Sequence, residues 1–151
     1  SIKEKYEYVG KTFSIVVPEK IEQIIEEGQA LKHCLDRSDR YFERIANQES
    51  YIVFLRRTKA MEQPYYTLEI EPDGTTRQKR TVGDNQNNDY HRAEKFLKKW
   101  QAAIRPRLSQ EDFERQEISR QLRMYELESL RNDKVTVHGG IHAGELLADF
   151  R

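Results

Sequence analysis

The chain has one cysteine in its 151 residues, no long apolar run and no net charge. A single cysteine excludes an intramolecular disulfide, and a reducing, cytoplasmic setting is the natural expectation. No stretch approaches the roughly 18 apolar residues that a membrane span requires, and no secretory signal is visible, so no membrane partner is expected. Repeated ligand pairs for a structural metal are missing as well. His138 and His142 stand four apart, but two glycines separate them and argue against a helical metal face. The polar loop "GDNQNND" lacks the lysine and the glycine spacing of a phosphate-binding loop. There is no internal repeat, and no metal or cofactor is expected.

What is there suits one domain with a sizeable core. Hydrophobic residues make up 36% of the chain and charged residues 34%, while 10% aromatic content argues against global disorder. The zero net charge hides a division. Residues 75–107 carry nine Lys/Arg against three Asp/Glu; residues 1–74 carry eleven against fourteen, and residues 108–151 six against nine. A basic middle between acidic flanks suits either an anionic partner or internal neutralisation within the fold.

The segment "KTFSIVVP" reads as a strand stopped by Pro18, and Ile21, Ile24 and Ile25 place a helix over about 19–30. Gly28 is a candidate C-terminal cap for it. "RSDRYFERIANQ" predicts a short helix with Tyr41, Phe42 and Ile45 inward, and "SYIVFLR" a central strand buried on both faces. "PYYTLEIE" and "TTRQKRTV", joined by "PDG", predict a hairpin. Ala93, Phe96, Leu97 and Trp100 mark a helix over about 89–104, stopped near Pro106. A second helix, about 109–131, is highly charged and opens on a Ser109/Asp112 capping pattern. Its incomplete stripe, Phe113, Ile118, Leu122, Tyr125, Leu127 and Leu130, predicts docking on the domain or on a second chain. The expected fold is α+β: a small, mostly antiparallel sheet with helices on one side, over residues 1–107, and a charged helical extension with its tail over 108–151.

A two-residue Asp73-Gly74 turn would set Pro72 opposite Thr75, Glu71 opposite Thr76, Glu69 opposite Gln78 and Thr67 opposite Arg80. Directly opposed residues share a face, so Thr67, Glu69, Gln78 and Arg80 would gather on one side, with Leu68 and Ile70 on the other. An ordinary solvent-facing sheet surface is the plain alternative. His33 and Cys34 diverge on either a strand or a helix, and sequence neighbours rarely supply the base that a nucleophilic cysteine needs. A base for Cys34 would have to come from elsewhere, such as His91; a small buried residue is the simpler reading of Cys34.

The ordered segments "EEGQALKHCL", "RYFERI", "SYIVFLRR", "PYYTLEIEPDGTTRQKRTVGDNQN" and "FLKKW" resemble the PcfJ-like family of conjugative plasmids and other bacterial mobile elements, over about residues 13–103. The matching positions are Glu27, Gly28, Leu31, His33, Cys34 and Tyr41; Ile52, Leu55 and Arg56; Thr67, Leu68 and Glu69; Gln78, Arg80, Asn85 and Trp100. Leu35-Asp36 departs from the Val-Gly of the family pattern, and the glycine near Arg80 arrives only at Gly83.

The resemblance implies an accessory role in a mobile element, with other mobile-element proteins as candidate partners. It does not bring a settled reaction. Two classes of function fit the residues. In a nucleic-acid module, Arg77, Lys79, Arg80, Lys95, Lys98 and Lys99 contact phosphates, and Tyr65 or Tyr66 stacks on an unpaired base. In an enzyme acting on a nucleotide or another phosphate-bearing substrate, Glu69 and His33 serve as acid and base. Arg56 and Arg80 then clamp the anion, and Thr67, Gln78 and Asn85 line the site. A third reading makes the 109–131 helix a recruiting surface for a partner protein.

Overall fold

The computed structural model describes residues 1–30, 44, 47–81 and 90–132. The chain begins with a short helix, α1 (Ile2–Tyr6), then β1 (Tyr8–Val9), β2 (Phe13–Val16) and α2 (Ile21–Ala30). After β3 (Tyr51–Arg57) come β4 (Tyr66–Ile70), β5 (Thr76–Arg80), α3 (Tyr90–Ile104) and α4 (Gln110–Asn132). All five strands form one antiparallel sheet in the order β1-β2-β3-β4-β5.

β3 takes the centre for the reason its composition suggests. Its run of strand-forming apolar residues can be buried on both faces, and Tyr51 through Arg56 are all buried. Alternation then sorts them. Tyr51, Val53 and Leu55 face the main core with Ile15, Leu68 and Ile70, while Ile52 and Phe54 meet Ile24 of α2 on the opposite face. Helices therefore cover both faces rather than the one expected, because α2 and α3 close on opposite sides. On the core side α3 packs Ala93, Leu97, Trp100 and Ile104, a stripe at helical spacing. Burying a side chain such as Leu68 contributes roughly 1.5–3 kcal/mol.

Polar bonds fix α1 and α3 to this core. Trp100 Nε1 donates to Tyr6 O at 2.8 Å, and Tyr6 Oη donates to Pro72 O at 2.8 Å. Burial pushes the Tyr6 phenol far above its ordinary range, in keeping with a hydroxyl that acts as a donor. Neither α1 nor β1 is announced by the sequence, since each is too short to show a period.

α4 opens as its Ser109/Asp112 pattern suggests. Asp112 N donates to Ser109 Oγ at 3.2 Å, and Ser109 N donates to Asp112 Oδ2 at 2.8 Å. The helix docks on the domain, across the end of the sheet where β4 turns into β5. Gln116 Oε1 accepts from Asp73 N at 3.0 Å, and Ser119 Oγ donates to Glu49 O at 2.8 Å. Leu127 is buried, whereas Ile118, Leu122 and Tyr125 face solvent. The stripe is incomplete because polar bonds, more than apolar contacts, hold this helix. Among the described residues, no helix is long and apolar enough to cross a membrane.

Candidate functional sites: a closed polar face and an open basic cleft

The hairpin reaches its expected pairing by an unexpected route. Gly74 N donates to Glu71 O and Glu71 N to Thr75 O, each at 2.8 Å. The loop is thus Pro72-Asp73-Gly74, three residues rather than two, and Glu71 faces Thr75 instead of Thr76. Gly74 adopts φ 92°, a left-handed value that glycine accepts without strain. Asp73 Oδ1 locks the loop by accepting from Thr75 N at 2.8 Å and Thr75 Oγ1 at 2.6 Å. Ile70 then pairs with Thr76, but Glu69 pairs with Gln78, leaving Arg77 as an extra residue in β5. That bulge undoes the one-residue shift of the turn. Thr67 consequently faces Arg80 and Glu69 faces Gln78, as the simpler turn would have had them.

The face so formed is closed, not solvent-facing. Thr67, Glu69 and Gln78 are buried, and Arg80 is half-buried. Glu69 accepts from Arg44 through two guanidinium nitrogens, one at 2.8 Å, and from Ser50 Oγ at 2.5 Å. Arg56 is held by both oxygens of Glu27, from α2, and donates its Nε to Met61 O at 3.1 Å. Arg77, only 2% exposed, donates to Glu49 at 2.9 Å and to Glu126 of α4 at 3.1 Å. Glu71 pairs with Arg123 of α4 at 2.9 Å and accepts from Gln116 Nε2 at 2.9 Å. Burial nevertheless raises the Glu71 carboxyl above its usual range, outweighing Gln116 and Arg123. Desolvating a charge is expensive, and in this face each buried arginine meets a carboxylate.

This pairing revises several expected roles. Arg77 is enclosed and cannot meet a phosphate on the surface. An anion at Arg56 would have to displace Glu27, and a proton moving to Glu69 would have to displace Arg44 or Ser50. Tyr65 and Tyr66 are 2% and 1% exposed, packed in the core and unable to stack on a base. Thr67 Oγ1 is buried without a hydrogen-bond partner among the described residues. His33, Cys34, Tyr41 and Asn85, together with His138 and His142, lie outside the described residues. His91 is exposed on α3. No group of three or more His, Cys, Asp or Glu among the described residues could hold a metal ion.

A second site lies on the other side of the molecule, where the β1–β2 turn meets α3. A cleft of about 320 Å³ is lined by Lys11, Arg92, Lys95 and Lys99 over Tyr8, Phe13 and Phe96. Arg92, Lys95 and Lys99 are spaced i, i+3, i+7 and so share one helix face. They are exposed, as are Lys11 and Lys98, and none of the five forms an ion pair or hydrogen bond among the described residues. Lys79, by contrast, is half-buried with its ammonium 4.8 Å from the Tyr90 ring centroid. No carboxylate lines the cleft among the described residues. Lys95 and Lys99 were legible as candidates in the sequence. Arg92 could have been found from its helical spacing, whereas Tyr8 and Lys11 join them only through the fold.

The family described as PcfJ-like protein matches this chain over residues 1–95. Among curated proteins, the uncharacterized protein Lin1253/Lin1744 of Listeria innocua is 28% identical over 105 residues, covering 68% of this chain and 22% of that protein. The chain thus spans about a fifth of the length of that relative. No solved structure matches this chain.

Proposed function

Because the chain belongs to the PcfJ-like protein family, we propose that it is a nucleic-acid-associated accessory domain of a bacterial conjugative or related mobile element, acting in the cytoplasm. One observation carries this reading: Arg92, Lys95, Lys98 and Lys99 of α3, joined by Lys11, are exposed and unpaired among the described residues. Cations held by carboxylates gain little from a phosphate, because one ion pair merely replaces another. Unpaired surface cations gain the attraction itself and release the counterions condensed on the nucleic acid. The contact surface is therefore α3, not the hairpin, whose Arg77 is already held between two carboxylates.

Fluorescence anisotropy with labelled single- and double-stranded DNA, from low to physiological salt, tests this. Binding should weaken steadily with salt, and the double variant Lys95→Glu, Lys99→Glu should abolish it. Arg80→Ala, on the hairpin, should weaken it far less. No binding to either DNA form at low salt would remove the reading. Loss through Arg80→Ala, with the α3 variant unaffected, would return the contact surface to the hairpin.

A further inference from the structure

Resting on that reading, we infer that the cleft between the β1–β2 turn and α3 holds single-stranded nucleic acid, with a phosphate among Lys11, Arg92, Lys95 and Lys99 and an unstacked base against Tyr8 and Phe96. A row of lysines alone would serve a duplex equally well, since a duplex offers phosphates and keeps its bases stacked inside. The aromatic floor makes the difference. Tyr8 and Phe96 are half-buried, their ring centroids 5.8 Å apart, and both line the cleft between its cations. Stacking on such rings requires a base with a free π-face, which only an unpaired strand presents.

The cleft is also built in advance. The β1–β2 turn stands close against α3 because residue 10 is glycine. A Cβ there would come 2.9 Å from Phe96 Cε1 and 2.5 Å from Phe13 O. Gly10 N donates to Phe13 O at 3.0 Å, and Thr58 Oγ1 donates to Gly10 O at 2.8 Å. Thr58 N further donates to Thr12 O at 2.9 Å, so the backbone on both sides of Lys11 is fixed before any ligand arrives. A preformed wall lowers the ordering cost of binding. An acidic peptide would satisfy the cations, but it would leave the rings without a planar partner.

The test is anisotropy at low salt with labelled oligothymidylate, a duplex of equal length and unlabelled polyglutamate as competitor. The single strand should bind about tenfold or more tightly than the duplex, the scale of one stacked base. Tyr8→Leu, which keeps the apolar bulk, should remove that preference by lowering single-strand affinity about tenfold. Should Tyr8→Leu not fold, Lys11→Glu on the exposed turn decides instead, with a comparable loss expected. Equal binding of strand and duplex, or single-strand binding indifferent to these variants, would overturn the inference while leaving the α3 surface in place. Polyglutamate that displaces the strand equally well, charge for charge, would overturn it too. Binding of neither nucleic acid would remove both readings.

Discussion

Arg77 and Lys95 belong to the same basic stretch of the chain, yet the fold treats them in opposite ways. Arg77 is 2% exposed and clamped between Glu49 and Glu126, whereas Lys95 stands in solvent and forms no ion pair among the described residues. The two sides of the sheet repeat this contrast. On one, Arg56 ties β3 to Glu27 of α2, Arg44 holds Glu69 of β4, and Arg77 and Arg123 tie the hairpin to α4 through Glu126 and Glu71. On the other, lysines and Arg92 ring an aromatic cleft and contribute no ion pair or hydrogen bond among the described residues. A linear excess of positive charge is therefore two populations, one consumed in cohesion and one left exposed to solvent.

The contrast can be attacked where it is strongest. Arg56→Ala would strand Glu27, 5% exposed, without its partner and should cost about 3–5 kcal/mol in chemical denaturation. Arg56→Met combined with Glu27→Leu should recover most of that loss, since the penalty comes from the orphaned charge. A cost below about 1 kcal/mol for Arg56→Ala would mean that the closed face is no more cohesive than an exposed pair.

A smaller effect is expected at the start of α4, where Ser109→Ala removes one arm of a reciprocal cap and should cost about 1 kcal/mol. If it also raises hydrogen exchange at Glu49 and Asp73, the cap helps to keep the polar side covered.

Glu71 holds its proton more tightly folded than unfolded, chiefly through burial. Its contribution is therefore most favourable below its ordinary value of 4.5 and is lost as pH rises through the raised folded value. Asp112 runs the other way. Burial is the largest single influence and pushes it up, but its bonds to Lys5 and Ser109 together hold it below 3.8. Its stability is present above that value and lost as pH falls through the folded one. Glu71→Gln should flatten the decline on the alkaline side of 4.5 and leave the acid limb of Asp112 in place, as read by denaturation midpoints across pH. The smallest effect belongs to the open side: Lys98→Ala should change stability by no more than about 0.5 kcal/mol, and a larger loss would mean that this lysine serves the fold.

Much of the scaffold was legible because it follows local periods. The central position of β3, the inward stripe of α3 and the Ser109/Asp112 cap are each written within a few consecutive turns or strand residues. The opposition of Glu69 to Gln78 was legible only because two errors of one residue cancel, a longer turn and the bulge at Arg77. The neutralisers of Arg77 were not legible, lying 28 and 49 positions away. Nor was the cover that α4 places over the hairpin, since a charged helix with a broken stripe carries no local mark of its docking surface. The cleft shares this difficulty: Lys11 and Lys99 are brought together by tertiary packing alone.

The sequential order of the strands has a consequence for how the protein is made. Each strand pairs with the one synthesised before it, so the sheet can grow at its free edge as the chain leaves the ribosome, at roughly 5–20 residues per second. Its apolar face cannot close in the same way. Trp100 seals it by bonding to Tyr6, 94 positions earlier, and until α3 has emerged that face stays wet. The nascent sheet thus passes through an interval, about 1–5 seconds long at that rate, in which it is complete in hydrogen bonding and bare of its lid.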